Sequence, residues 1–134
     1  MSQENVEFVR QGFERTARGD WAIADRFDPQ VEFVLVGGTG LGLSEEGRGI
    51  DELMGVLLEF MSEFEGYRVE GEQFIALDDG RVFVLGRDRG VGRASGVPFE
   101  HENGQVFTLR DGCVVKWEVY WNRDEARKAA GLSE

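Results

Sequence analysis

The chain has 134 residues, with 26 acidic and 15 basic side chains, so its net charge is −11. A charge of this sign repels phosphate groups and argues against binding to nucleic acid or to a membrane surface. The length predicts one domain over residues 1–134. One cysteine cannot form an internal disulfide, and we find neither a signal peptide nor an apolar run near the ~20 residues of a membrane span, so we expect a cytoplasmic protein.

The first half of the chain predicts three helices and one short strand. Apolar residues three or four apart indicate an amphipathic helix over residues 3–18. A short second helix follows and ends before Pro29, because the residue before a proline disfavours helical geometry. Residues 31–36 form a β-branched, apolar run typical of a buried strand. A glycine-rich loop is expected over 37–49, and a third helix over 50–64.

The second half predicts four antiparallel strands and a last helix. The strands are expected over 67–77, 81–89, 99–109 and, as the second arm of a long hairpin, up to Trp121. Asn122, with Glu125 three residues later, is a capping-box arrangement that begins the terminal helix. The predicted order is therefore helix, helix, strand, helix, four strands and helix.

The hairpin carries the clearest alternation in the sequence. Apart from Asp111 in the turn, its odd positions from Phe107 to Trp121 are apolar and its even positions are mostly polar, which predicts one buried and one exposed face. A two-residue Asp111-Gly112 turn would put Phe107 on the face of Lys116. A three-residue loop with a left-handed Gly112 keeps the odd apolar residues on one face, so we predict the three-residue loop.

The sequence predicts no cofactor and no metal ion. The glycines between Gly38 and Gly42 follow a strand, but their spacing does not match that of a dinucleotide-binding fingerprint. One histidine and one cysteine cannot form a His/Cys metal cluster. Cys113 has no base placed to activate it, so we interpret it as a packing residue.

Several short motifs, together with the order of the elements, resemble those of a known fold. They are Gly19-Asp20-Trp21, Phe27-Asp28-Pro29, Gly47-Arg48-Gly49-Ile50, Ser95-Gly96-Val97-Pro98, Arg110-Asp111-Gly112, Tyr120 and the end from Asp124 to Leu132. The chain resembles the α+β cone fold shared by nuclear transport factor 2, ketosteroid isomerases and the SnoaL-like polyketide cyclases. The resemblance implies a curved antiparallel β-sheet forming a cone, closed by three N-terminal helices, with a short C-terminal helix.

The strand over 81–89 has two possible inward sets, which apolarity does not separate: the even positions, which include Asp88, or the odd ones. The resemblance favours the even set, because the corresponding positions line the steroid pocket of the isomerases. Asp88 would then lie opposite His101 or Asn103. Burial raises the proton affinity of a carboxylate, and a neighbouring imidazole can share its proton, so Asp88 and His101 are our candidate catalytic residues.

The other candidate residues line the expected pocket. Asn103 and Gln105 continue the odd parity of the hairpin and would orient or polarise a carbonyl group. The apolar wall that would hold a ring-containing ligand consists of Trp21, Phe33, Phe107, Trp117 and Trp121. The catalytic base of the steroid isomerases falls at Leu35 by ungapped alignment, and their oxyanion-hole aspartate at Gln105, so the resemblance does not transfer their mechanism.

Three functions remain open at this point. The first is a small-molecule enzyme of SnoaL-like type, an isomerase, cyclase or hydrolase that uses acid–base chemistry on an apolar ring substrate. The second is a binding protein with the same pocket and no reaction, and the third is a dimerisation module. We also expect a homodimer that pairs through the even-numbered face of the last strand, which carries Lys116, Glu118 and Tyr120.

Overall fold

The computed structural model describes residues 2–36 and 46–132. The described residues form one 3₁₀ turn (Ala24–Arg26), three α-helices (α1 Ser2–Ala17, α2 Ile50–Met61, α3 Arg123–Ala129) and six strands (β1 Phe27–Val36, β2 Glu46–Arg48, β3 Phe64–Ala76, β4 Val82–Gly92, β5 Pro98–Arg110, β6 Cys113–Tyr120). Within these ranges no helix is both long and apolar enough to cross a bilayer.

The six strands form one curved sheet in the order β2-β1-β6-β5-β4-β3. β1 runs parallel to β6, and the other neighbouring pairs are antiparallel. α1 and α2 bury apolar residues such as Val9 and Leu53 against the concave face, and α3 buries Ala126 against the outer face. The predicted α+β cone is therefore confirmed, with the second N-terminal helix reduced to a single 3₁₀ turn.

β1 begins earlier than the sequence predicts. It starts at Phe27 and passes through Pro29, which was expected to end a helix. The pairing of β1 with β6 shifts between Phe27 and Glu32, so Pro29 lies where the neighbouring strand offers no regular partner, and its missing N–H costs no ladder hydrogen bond. Glu46–Arg48, the end of the expected glycine-rich loop, pairs with β1, whereas residues 37–45 of that loop, with the glycines between 38 and 42, lie outside the described residues.

The hairpin between β5 and β6 has a shorter turn than the sequence predicts. Arg110 pairs with Cys113, so Asp111 and Gly112 form a two-residue turn with φ angles of 53° and 79°. Both angles are left-handed, which is the geometry of a type I′ hairpin turn. The predicted three-residue loop is therefore wrong, although the left-handed conformation of Gly112 is confirmed.

The extra residue that the alternation requires lies in β6 itself. Val115 is inserted between the pairs Leu109–Val114 and Thr108–Lys116, which makes a β-bulge. Between the turn and the bulge, Val114 is buried instead of its odd-numbered neighbours. Beyond the bulge the predicted odd parity returns, so Phe107, Trp117 and Trp121 still lie on the concave face.

α3 packs closely on the outer face of the sheet. Its predicted N-cap is confirmed, since the Asn122 side chain accepts a hydrogen bond from the backbone N–H of Glu125 at 3.0 Å. A Cβ atom added at Gly104 would lie 2.3 Å from the Cβ of Ala126, so a glycine in β5 permits this approach.

The surface that we expected to form a homodimer is partly covered by α3. Tyr120 is buried in the apolar cluster beneath this helix, and its hydroxyl donates a hydrogen bond to Glu118 at 2.8 Å. Lys116 and Glu118 remain partly exposed. The homodimer stays a prediction, with two of its three expected contact residues accessible.

Candidate functional site

The concave face of the sheet, α1 and α2 line a half-open cavity of about 120 Å³. All five aromatic residues that the sequence assigns to a pocket lie in its wall: Trp21, Phe33, Phe107, Trp117 and Trp121. Arg26 also lines the cavity, but its guanidinium donates to the backbone carbonyl of Phe8 at 2.6 Å and lies over the Phe8 ring. The wall is therefore predominantly aromatic and aliphatic.

Asp88 is the one carboxylate among the described residues that line this cavity, and the residue is 3% exposed. Its position confirms that the even-numbered set of β4 lies inward. Oδ1 accepts a hydrogen bond from the Tyr67 hydroxyl at 2.8 Å, and Oδ2 accepts one from Asn103 Nδ2 at 3.2 Å. Burial raises the pKa of Asp88 from 3.8 to about 6, because the loss of water outweighs these two hydrogen bonds and the nearby His101, all of which lower it.

Asn103 belongs to a chain of side-chain hydrogen bonds that ends at Trp117. The indole N–H of Trp117 donates to Gln105 Oε1 at 2.9 Å, and Gln105 Nε2 donates to Asn103 Oδ1 at 3.0 Å. An indole can only donate, so Trp117 fixes the orientation of both amides. The amide of Asn103 consequently presents its N–H to Asp88, which stabilises the ionised carboxylate.

Gly86 leaves the space that these amides occupy. A Cβ atom at this position would lie 2.6 Å from Asn103 Oδ1 and 3.3 Å from Gln105 Nε2. From the outer face, Arg123 at the start of α3 donates to the backbone carbonyls of Gly86 at 2.7 Å and Asn103 at 3.2 Å. α3 therefore fixes the strand backbone directly behind the polar part of the cavity.

Tyr67 is a site residue that the sequence analysis missed. Burial, and then the charge of Asp88, raise the pKa of Tyr67 well above its ordinary value, so the hydroxyl keeps its proton and acts as the donor. Val69 is the β3 residue that pairs with Asp88, and the register of β3 shifts on both sides of this pair. The one sequence signal for this contact is that Tyr67 lies two residues before Val69, a spacing that puts two strand side chains on the same face.

His101 lies at the rim of the cavity and not in its wall. It pairs with Asp88 in the register of β4 and β5, but the two side chains do not share a hydrogen bond, since Asp88 is held by Tyr67 and Asn103. Nε2 of His101 is 2.9 Å from the backbone carbonyl of Trp121, and its ring lies 4.4 Å from the Trp121 ring. A carbonyl only accepts, so Nε2 carries a proton and donates it to this hydrogen bond. The structure places Asp88 in the cavity and His101 beside it.

The helices contribute aromatic lining residues that the strand alternation could not identify. Phe8 and Phe13 come from α1 and Phe60 from α2. Helical spacing predicts that such residues are buried, but it does not separate a solid core from a cavity wall.

Within residues 2–36 and 46–132, no three His, Cys, Asp or Glu side chains are grouped as metal ligands.

Solved structures share this architecture over almost their whole length. A nuclear transport factor 2-like protein of unknown function from Burkholderia pseudomallei K96243 superimposes with a TM-score of 0.76 at 22% identity, over 94% of this chain and 96% of that chain. This chain has the nuclear transport factor 2-like fold. No protein-family model and no curated protein sequence matches it.

Two other solved structures superimpose on this chain over almost its whole length. TerC, which was co-crystallised with polyporic acid, has a TM-score of 0.74 at 22% identity over 95% of this chain and 98% of that chain. A protein from Jannaschia sp. CCS1, assigned to the SnoaL-like polyketide cyclases, has a TM-score of 0.74 at 19% identity over 99% of this chain and 94% of that chain. At these identities the likeness establishes the fold alone.

Proposed function

We propose that the protein binds a small ring-containing molecule in its cavity and that Asp88 transfers a proton to or from the carbon next to a carbonyl group of that molecule. The observation that carries this proposal is a buried carboxylate, with a pKa of about 6, in the wall of an apolar and aromatic cavity. A catalytic group works best when its pKa is near the working pH, because both protonation states are then accessible.

The hydrogen bonds of Asp88 are compatible with this role. Each oxygen of a carboxylate can accept two hydrogen bonds, and Tyr67 and Asn103 occupy one position on each. The remaining lone pairs can take a proton from a ligand while the two donors hold the carboxylate in one orientation. Apolar surroundings exclude water that would otherwise compete for the proton.

The size of the cavity limits the ligand. An engineered cavity of about 150 Å³ lined by apolar side chains binds benzene, so a cavity of about 120 Å³ suits a ligand with a single small ring. The fold supports a small-molecule occupant, since TerC was crystallised with polyporic acid. The assignment of the Jannaschia protein to the polyketide cyclases supports chemistry on ring compounds.

Exchange of carbon-bound protons tests the proposal directly. Acetophenone has one ring and a methyl group next to its carbonyl, and loss of its methyl protons in D₂O can be followed by NMR. We expect the wild-type protein to accelerate this exchange and Asp88→Asn to abolish the acceleration. Asp78→Asn, which changes an exposed aspartate, should exchange at the wild-type rate.

A second candidate function is ligand binding without a reaction. The position of His101 favours it, because the second acid–base group that we expected from the sequence lies outside the cavity wall. Acetophenone that binds in the cavity but exchanges its protons no faster than in buffer would support binding alone.

A further inference from the structure

Trp121 has a buried hydrogen-bond donor that the protein leaves unused. Its Nε1 atom is buried and has no acceptor within residues 2–36 and 46–132. Trp117, the other tryptophan in the second arm of the hairpin, donates its indole N–H to Gln105 Oε1 at 2.9 Å. Buried donors without a partner are rare, because each gives up its hydrogen bond to water and gains nothing in return.

Aromatic rings pack against the Trp121 indole. The neighbouring side chains are rings: Phe60, Phe99 and His101, whose centroids lie 6.1, 6.3 and 4.4 Å from the Trp121 ring. His101 uses its Nε2 on the backbone carbonyl of Trp121 itself. The aromatic packing therefore fixes the indole without satisfying its N–H.

Trp121 lies near the polar part of the cavity. Both Trp121 and Asp88 line the cavity. Tyr120 pairs with Gly104 in the hairpin, so Trp121 follows at the level of Asn103, whose amide donates to Asp88. A ligand that reaches Asp88 therefore comes close to the indole as well.

We propose that the indole N–H of Trp121 donates its hydrogen bond to a carbonyl oxygen of the ligand, which makes the substrate class small ring-containing ketones. The reaction part rests on the proton transfer proposed for Asp88, whereas the binding part does not. Asp88 takes a proton from the carbon next to the carbonyl, and the electron pair of that C–H bond forms the carbon–carbon double bond of an enolate. Trp121 stabilises the negative oxygen of this enolate, and the protonated Asp88 returns the proton to carbon.

Two ligands of the same shape test whether the ligand oxygen is recognised. Acetophenone has a carbonyl group where α-methylstyrene has a C=CH₂ group, so only the former accepts a hydrogen bond. We expect Trp121→Phe to reduce the preference for acetophenone, measured as the ratio of the two Kd values by calorimetry, by about threefold to tenfold. Asp78→Asn, which changes an exposed aspartate outside the cavity wall, should leave this ratio within about twofold. An unchanged ratio in Trp121→Phe, or no binding of either compound to the wild type, would overturn the proposal.

NMR of the wild-type protein provides a second test that does not depend on the folding of a variant. Acetophenone should shift the indole proton resonance of Trp121 downfield, and α-methylstyrene should not. Equal shifts with both compounds would contradict the proposal. If the shift occurs but proton exchange is absent, the binding role of Trp121 stands and the catalytic role of Asp88 fails. If exchange occurs and the shift is absent, Asp88 acts without Trp121.

Discussion

Asp88 is subject to two opposing influences, and their balance determines its chemistry. Tyr67 and Asn103 donate hydrogen bonds that stabilise the ionised carboxylate, whereas burial destabilises it. The rise of the pKa from 3.8 to about 6 means that burial prevails by roughly 3 kcal/mol. The two donors orient the carboxylate, and the apolar cavity keeps its pKa near neutral.

Asp88→Asn should remove a pH-dependent part of the stability. The folded protein binds the Asp88 proton more tightly than the unfolded chain does, so the contribution is fully present below about pH 4 and is lost as the pH rises through about 6. We expect the unfolding free energy of the wild type, relative to Asp88→Asn, to fall by about 2–3 kcal/mol between pH 4 and pH 7 in urea denaturation. A pH-independent difference between the wild type and Asp88→Asn would contradict the raised pKa.

Most polar residues of the site could be predicted from alternation, because β4 and β5 are paired neighbours whose inward side chains lie on one face of the sheet. Asp88, Asn103 and Gln105 follow from the parity of β4 and β5, together with a resemblance that chose between the two sets of β4. Tyr67 could not be predicted, since irregularities in β3 shift the register on both sides of the Val69–Asp88 pair. The role of His101 as a partner of Asp88 stays a prediction, and parity gave no sign that the backbone carbonyl of Trp121 holds its ring.

Beyond Val115 the β5–β6 hairpin has the predicted inward and outward residues, but its turn differs from the predicted one. A three-residue loop and a two-residue turn with a bulge at Val115 each add one residue to the β6 side, so the odd residues beyond that point are inward in both. Spacing alone cannot separate the two arrangements. The two arrangements differ between the turn and the bulge, where Val114 is buried and Cys113 is not.

Gly112→Val tests the turn. The φ angle of Gly112 is 79°, and no atom lies within 4 Å of a Cβ added there, so the cost comes from the backbone and not from a clash. A β-branched residue in this conformation should destabilise the protein by at least about 1–2 kcal/mol in urea denaturation. Asp111→Gly, at the neighbouring left-handed position, should change stability by less than about 1 kcal/mol. Equal effects of the two substitutions would show that the turn has another geometry.

On the scale of the whole molecule, the sequence predicts the cone but not how far it is filled. Caps, turns and alternation give the order of the elements and the concave face, whereas the same aromatic residues would suit either a solid core or a cavity wall. An enclosed, empty core cavity of about 120 Å³ would cost about 3 kcal/mol, which is an upper limit for this half-open cavity. Such a cost is a large part of the stability of a domain, so retention of the cavity supports a ligand-binding role.

Adding one methylene group to the cavity wall tests whether the aromatic residues surround empty space or a solid core. Val119 is buried and lines the cavity, so Val119→Leu should fill empty space and raise the unfolding free energy by about 1 kcal/mol in thermal or urea denaturation. The same substitution should weaken the binding of acetophenone, because it takes space from the ligand. Val106 is also buried, but it packs in the cluster beneath α3, away from the cavity. Val106→Leu should therefore overfill its site and cost about 1–3 kcal/mol. Destabilisation of similar size by both substitutions would mean that the space beside Val119 is already filled.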